Sequence, residues 1–248
     1  MAVLIERKHH VKESSRERAI QILFNNKPLA ISQGTPENLS ELAVGFLLAE
    51  GLISDRQKLR TIDANVEAAW VNVVSDEDCA DDRPLLHRVT SSGCVEAALL
   101  KKTPSAPFIS ADSTLTFAAD DLLAMMEQLC AVSPKRNGGE CVHGCGIGNN
   151  GKLVCVREDV GRHNAMDKLI GQAWLDGIVM QDMALFTTGR ISYEMALKAA
   201  HSGVSVMVSH KSATDSAIEL AESLNLTLVG KCRDNAMQVL SHHRRILD

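Results

Sequence analysis

The second half of the chain alternates. Short apolar runs "KLVCV", "MALFTTG", "VSVMVS" and "LTLVG" are separated by "HNAMDKLIGQAWLDG", "SYEMALKAAHSG" and "TDSAIELAESLN". The short runs have strand length, and the segments between them repeat apolar residues at helical spacing. Strands and helices in strict alternation leave few folds open. The main one is a largely parallel sheet with helices on its faces, an α/β architecture. In such a sheet every loop that follows a strand emerges at one edge, and ligands bind in the crevice there.

The residues at those strand ends are polar. After "KLVCV" come Arg157, Glu158, Asp159, Arg162, His163, Asn164, Asp167 and Lys168. After "ALFTTG" come Arg190 and Ser192, and after "VSVMVS" come His210, Lys211, Ser212 and Thr214. After "LTLVG" come Lys231, Arg233, Asp234 and Asn235. Guanidinium and ammonium groups beside the backbone N–H groups of three helix N-termini suit a phosphate-bearing ligand. Any one of these residues could be an ordinary loop residue. Their coincidence at four strand ends argues for a site.

The first half is less regular. "AIQILFNN" and "PLAISQG" predict two strands joined by a turn at Asn25 and Asn26. "TPENLSELAVGFLLAEGLI" predicts a helix with Thr35 as N-cap, Pro36 in the first turn and Gly51 at its end. "EAAWVNVVS" and "LLHRVT" read as strands, "DEDCADDRP" as an acidic loop, and Asp120 to Cys130 as an amphipathic helix. The segment "KKTPSAPFISADS" marks a boundary between an α+β domain over 1–110 and an α/β domain over 111–248.

Composition narrows the function. The chain has 248 residues, 45% of them apolar, and a formal net charge of −5, which describes a globular protein without a broad nucleic-acid footprint. Trp70, Trp174, Tyr193 and five Phe are too few aromatics for a base-stacking platform. No stretch is long and apolar enough for a membrane span, and the charged N-terminus does not read as a secretory signal, so a cytoplasmic location is expected.

In a reducing compartment, seven irregularly spaced cysteines read as free thiols. Cys130 and Cys155 fit core positions, Cys79 lies in the acidic loop, and Cys232 falls on the strand-end rim. Cys141, His143 and Cys145 would share one face of an extended segment. Their spacing matches no common zinc site, and no metal is expected. Cys94, in "VTSSGCVEAALL", follows three small residues that suit an exposed loop. Its residue context leaves a reactive thiol and a buried filler equally open.

Four segments, "TPENLSELAVGFLLAEGLI", "REDVGRHNAMDKLIG", "TTGRISYEMALKAA" and "AIELAESLNLTLVG", resemble the formate dehydrogenase accessory sulfurtransferases, the FdhD/NarQ family. They span residues 35 to 230 in the family's order. The resemblance implies a C-terminal three-layer α/β/α sandwich like that of cytidine deaminase, beside a smaller α+β N-terminal domain. It also implies a sulfurtransferase with a cysteine persulfide intermediate. Sulfur would come from a cysteine desulfurase and pass to the bis-molybdopterin guanine dinucleotide cofactor of formate dehydrogenase. That cofactor would be bound as cargo, and guanine nucleotides would mimic it. The partners implied are the desulfurase and the formate dehydrogenase catalytic subunit, with neither nucleic acid nor membrane. A homodimer is the default expectation for assembly.

The resemblance makes Cys94 the sulfur carrier. The family's loop carries a Cys-x-x-Cys pair where this chain reads "SSGCVEA", with Glu96 in place of a second cysteine. The family's cofactor loop falls on Lys231, Cys232, Arg233, Asp234, Asn235 and Ala236. His143, Arg157, Asp159, His163, Asn164, Lys168, Arg190, Ser192 and Thr214 complete the expected cofactor-binding set. Two rivals are a zinc deaminase, whose His-x-Glu and Pro-Cys-x-x-Cys strings are absent, and a chaperone that binds cofactor without moving sulfur.

Overall fold

The strands and helices of the second half form where the alternation places them, with one strand inserted into the sheet. The computed structural model describes residues 16–77, 89–90, 115–132 and 141–248. The predicted boundary near "KKTPSAPFISADS", and the loop "DEDCADDRP" from Asp78 on, lie outside the described residues.

The N-terminal unit starts with a hairpin, β1 (Arg18–Phe24) and β2 (Lys27–Gly34). Asn25 and Asn26, both left-handed at φ 49° and 63°, turn the chain in two residues, as the Asn-Asn pair predicts. Helix α1 (Leu39–Ala49) follows, then β3 (Leu59–Asn65), β4 (Trp70–Ser75) and the short β5 (Val89–Thr90). The sheet order is β3-β4-β1-β2-β5. One face carries Ile20, Ile22, Val71 and Val73, which pack with Leu42, Phe46 and Leu47 of α1. The start of α1 differs from expectation. Thr35 is not its N-cap; the helix begins four residues later, behind Asn38 in a left-handed conformation. Gly51, at φ 68°, closes it as predicted.

The C-terminal unit is a six-stranded sheet of order β12-β11-β10-β9-β7-β8. The strands are β7 (His143–Asn149), β8 (Lys152–Asp159), β9 (Ala184–Thr187), β10 (Val206–Ser209), β11 (Thr227–Arg233) and β12 (Ala236–Val239). β9, β10 and β11 are parallel neighbours. β7 runs antiparallel to both β8 and β9 and separates them. The four strands of the alternation therefore point the same way, but the sheet is mixed rather than parallel throughout. β6 (Phe117–Ala118) and β13 (Ile246–Leu247) form a separate two-stranded pair.

Helix α2 (Ala119–Ala131) covers one face of the large sheet through Leu122, Met125, Met126 and Leu129. Helices α3 (Arg162–Asp176), α4 (Tyr193–His201) and α5 (Asp215–Ser223) cover the other face. This makes three layers, α/β/α, around two apolar cores. Two glycines let the units meet. A methyl group on Gly45 of α1 would collide with the Asp167 carbonyl of α3, and one on Gly171 of α3 with the Glu41 carbonyl. The two helices cross backbone to backbone there, which leaves no room for a side chain.

Candidate functional site: a closed seam and an open edge

The common direction of β8 to β11 brings Asp159, Thr187, Ser209 and Arg233 to one edge, and β7 begins there with His143 opposite Asp159. The polar residues at this edge separate into two groups.

The first group is a buried seam between the units. Asp159 is 0% exposed and accepts hydrogen bonds from Lys168 Nζ at 2.6 Å, Thr35 N at 3.0 Å, Gly161 N at 2.8 Å and Asn164 Nδ2 at 3.3 Å. Lys168 Nζ also donates to the Thr35 carbonyl at 2.9 Å. Asn164 accepts from Ser32 Oγ at 2.8 Å and donates to the Gln33 carbonyl at 2.8 Å. Deeper in, Lys198 Nζ is 2.6 Å from both Asp167 oxygens, and burial pushes the Asp167 carboxyl up against the pull of Lys198. Arg157 lies within β8, not past its end. Its Nε donates to Glu41 at 2.5 Å and its Nη2 to Gln172. The Glu41 carboxylate raises the Arg157 pKa. Arg157, Asp159, Asn164 and Lys168 were expected to touch cofactor. In the structure the bonds named above join α1 and the end of β2 to β8 and α3.

The second group is open. Arg190 follows β9, Lys211 follows β10, and Lys231 and Arg233 belong to the end of β11; all four are exposed. Arg233 is 3.8 Å from Asp234, while no ion pair joins Arg190, Lys211 or Lys231 to a described residue. Their backbones are knitted together. Ser209 Oγ donates to the Gly189 carbonyl at 2.7 Å and accepts from Lys211 N at 2.9 Å. Ile191 N donates to the Ser212 carbonyl at 3.0 Å, and Lys231 N to the Lys211 carbonyl. Gly189 is packed tightly against Arg162 and His143, so those two side chains flank the strip. A fixed backbone removes the cost of ordering the loops when an anion binds, leaving only that of the side chains.

The expected cofactor loop is a hairpin. β11 runs on through Arg233, with Lys231 in a left-handed bulge at φ 51°, and Asp234 and Asn235 make the two-residue turn into Ala236. Lys231, Arg233, Asp234, Asn235 and Ala236 are exposed on it. Cys232 points the other way, 0% exposed beneath α2, which corrects its expected place on the rim.

His163 and Ser192 lie between the starts of α3 and α4. Ser192 Oγ donates to Glu194 Oε2 at 3.0 Å and lies 3.3 Å from His163 Nε2. Burial, then the charges of Lys198, Arg162 and His143, push His163 down to about 3, so its ring is neutral. Ser192 makes no capping bond to α4, whereas Thr214 Oγ1 caps α5 through Ala217 N at 3.3 Å.

The thiols sort by burial. Cys145 donates to Thr187 Oγ1 at 3.5 Å, and burial pushes it up to about 12. Burial also raises Cys232 to about 12 and Cys155 above its ordinary value. Neither Cys145 nor Cys232 presents a thiolate near neutral pH. Cys141 is exposed ahead of β7. Among the described residues no group of three His, Cys, Asp or Glu side chains could hold a metal ion. No described helix is long and apolar enough to cross a membrane. Cys94, Glu96 and Cys79 lie outside the described residues.

A cavity of about 390 Å³ opens at the other end of the α3 and α4 helices, lined by Leu48, Ile53, Ile170, Trp174 and Met180. Its walls are mostly apolar, with Gln181, Lys198 and His201 also on the lining.

Comparison with known proteins agrees with the sequence resemblance. A sequence model of the FdhD/NarQ family matches residues 15–247. The sulfur carrier protein FdhD of Bacillus subtilis (strain 168) is 32% identical over 235 residues, 93% of this chain and 88% of that one. The protein of the same name from Bacillus pumilus (strain SAFR-032) is 34% identical over 244 residues, 95% and 91% of the two chains. Among solved structures, one from Desulfotalea psychrophila, described as a formate dehydrogenase accessory protein, superposes with a TM-score of 0.75. It is 28% identical, and the match covers 94% of this chain and 90% of that one.

Proposed function

The chain belongs to the FdhD/NarQ family, and from that membership we propose that it carries sulfur during maturation of a formate dehydrogenase. Cys94 is the proposed carrier. Its thiolate attacks the terminal sulfur of a persulfide on a cysteine desulfurase. A new S–S bond forms on Cys94, and the desulfurase cysteine leaves as a thiolate, so loading needs no external oxidant. The outer sulfur then passes to bis-molybdopterin guanine dinucleotide, which is cargo here and not a resident cofactor. Cys94 leaves as the thiolate, and the two electrons that bring the sulfur to the sulfide level come from the cargo's reduced metal or a thiol reductant. Arg190, Lys211, Lys231 and Arg233 are proposed to hold its pyrophosphates, with His143 and Arg162 beside them. Guanidinium and ammonium groups suit that charge.

One observation carries the reading. β5, the strand that leads to Cys94, pairs with β2 so that Thr90 lies opposite Ser32. Ser32 Oγ in turn bonds Asn164, in the first turn of α3 at the edge. Cys94 is four positions after Thr90 in sequence, a reach of at most about 14 Å. Thr90, the last described residue before the proposed carrier, therefore pairs with the strand that is tied to the first turn of α3. A second thiol relay has one described candidate that is exposed, Cys141.

The test is transfer of labelled sulfur. Incubated with a cysteine desulfurase and [35S]cysteine, the wild-type chain is expected to take up label that reductant releases. Cys94→Ala is expected to take up almost none. Equal labelling of the two would rule out Cys94. Normal formate dehydrogenase maturation by Cys94→Ala would favour a chaperone that moves no sulfur.

A further inference from the structure

The opposite end of the large sheet carries an arginine that the proposed cargo edge does not use. β11 ends at the cationic strip but begins at Thr227, about 20 Å away along the strand. The chain returns to that starting end in a 3-10 turn, His243–Arg245, and then forms β13 beside β6. Arg245 is 1% exposed. Its Nη1 donates to Thr227 Oγ1 at 3.1 Å, and Thr227 Oγ1 donates in turn to the His242 carbonyl at 2.9 Å. Arg245 Nε and Nη2 are buried and have no hydrogen-bond partner. The Ser205 hydroxyl is buried and unbonded as well, and the Ser205 carbonyl accepts from Thr227 N at 2.9 Å. Two orphaned side chains thus each connect to Thr227 by one hydrogen bond.

No ion pair joins Arg245 to a described carboxylate. The Glu222 carboxylate pairs with His242 at 3.3 Å, and Arg244 Nη2 donates to Asn225 Oδ1 at 3.0 Å. Burial and then the Arg244 charge lower the Arg245 pKa, the direction expected of a cation without a counter-charge. Taking a guanidinium out of water with donors unmatched is costly. Which donors are unmatched tells what would match them. Nε–H and the adjoining Nη2–H point the same way, and that pair makes two parallel bonds to a carboxylate or a phosphate. Nη1, bonded to Thr227, holds this fork in place. A singly charged carboxylate costs less to bring into a buried site than a phosphate dianion. The β13–β6 pair is only two residues long, and chain ends held so briefly open locally at low cost, which admits a small anion.

We propose that Arg245 anchors a binding site for a small carboxylate at the starting end of β11. The two oxygens of the ligand accept from Nε–H and Nη2–H, while Thr227 holds Nη1. Binding ties the C-terminal segment to the large sheet through the anion. The site is separate from the cationic edge, and the inference is independent of the sulfur-carrier reading.

The experiment uses the full-length chain in chloride buffer, with sodium formate, sodium acetate or sodium phosphate added at matched ionic strength. Contact with formate and acetate is read by saturation-transfer NMR from the protein to the ligand protons, and stabilisation as the shift in Tm. Formate or acetate at about 20 times its Kd is expected to raise the wild-type Tm by about 3 °C or more. Arg245→Met replaces the buried charge with an apolar side chain. It is expected to be at least as stable as wild type in chloride and to show neither saturation transfer nor the Tm shift. Arg245→Lys keeps the charge but lacks the fork, and is expected to bind about tenfold more weakly. A wild-type chain that responds to neither carboxylate overturns the inference. So does a response of Arg245→Met or Arg245→Lys equal to that of wild type, which would mark a general salt effect or a site elsewhere. A response to phosphate alone overturns the carboxylate assignment.

Discussion

Lys168 and Lys211 both come shortly after a strand that ends on the same edge of the same sheet. Lys168 is 0% exposed and closes on Asp159 at 2.6 Å, while Lys211 is exposed with no ion pair to a described residue. The seam around Lys168 is buried and paired. The strip around Lys211 is exposed, and its backbone is held by hydrogen bonds. A buried charge must be matched by the protein itself. An exposed cluster of one sign is available to a ligand. Polar residues at a strand end therefore indicate a ligand site only where the fold leaves them uncovered.

The sharpest way to break this contrast is to remove a partner from the seam. Asp159→Ala leaves the Lys168 ammonium buried without its carboxylate and strips Thr35 N and Gly161 N of their acceptor. A loss of about 3–5 kcal/mol is expected in urea unfolding. A change under about 1 kcal/mol would mean that the seam is not closed as described. Gly45→Ala comes next. The added methyl meets the Asp167 carbonyl, and overpacking of this kind costs about 1–3 kcal/mol.

A pH titration sharpens the same point. His163 is held near 3 in the folded chain against an ordinary value of 6.5. Between those values the unfolded chain binds a proton that the folded chain refuses. Stability should therefore fall as pH drops below 6.5, with a slope from this group approaching about 1.4 kcal/mol per pH unit. Unfolding curves of wild type and His163→Gln at several pH values should diverge in that window, with the variant flatter.

On the open edge the expectation reverses. Arg190→Ala and Lys211→Ala should each change stability by less than about 0.5 kcal/mol. Each should weaken guanosine diphosphate binding roughly fivefold, or about 1 kcal/mol. Raising the salt concentration should shrink that loss, because exposed charges are screened. Calorimetric titration of the variants at two ionic strengths reads both effects.

Much of this layout was legible in the sequence. The period of the apolar residues places β8 to β11 and α3 to α5, and Asn25-Asn26, Gly51, Gly177 and Gly203 mark turns or helix ends at left-handed positions. What the residues alone could not show is long-range. β7 pairs between β8 and β9, and no local pattern records that insertion. Thr35 has the chemistry of an N-cap, but Asp159, more than a hundred residues away, claims its N–H. Cys232 follows a strand-like run and so reads as a strand end. The strand in fact continues, and alternation turns its side chain inward. The long-range partners of Arg157, Asp159, Asn164 and Lys168, such as Glu41, Thr35 and Ser32, are likewise visible only in the fold.

The division between seam and edge is the central claim, and a crystal structure of the full-length chain with guanosine diphosphate tests it most directly. The account predicts phosphate oxygens within hydrogen-bonding distance of Arg190, Lys211, Lys231 or Arg233. It also predicts that the Asp159–Lys168 and Ser32–Asn164 bonds stay intact. A nucleotide held instead by Asp159, Asn164 or Lys168, with those bonds broken to receive it, would contradict the account.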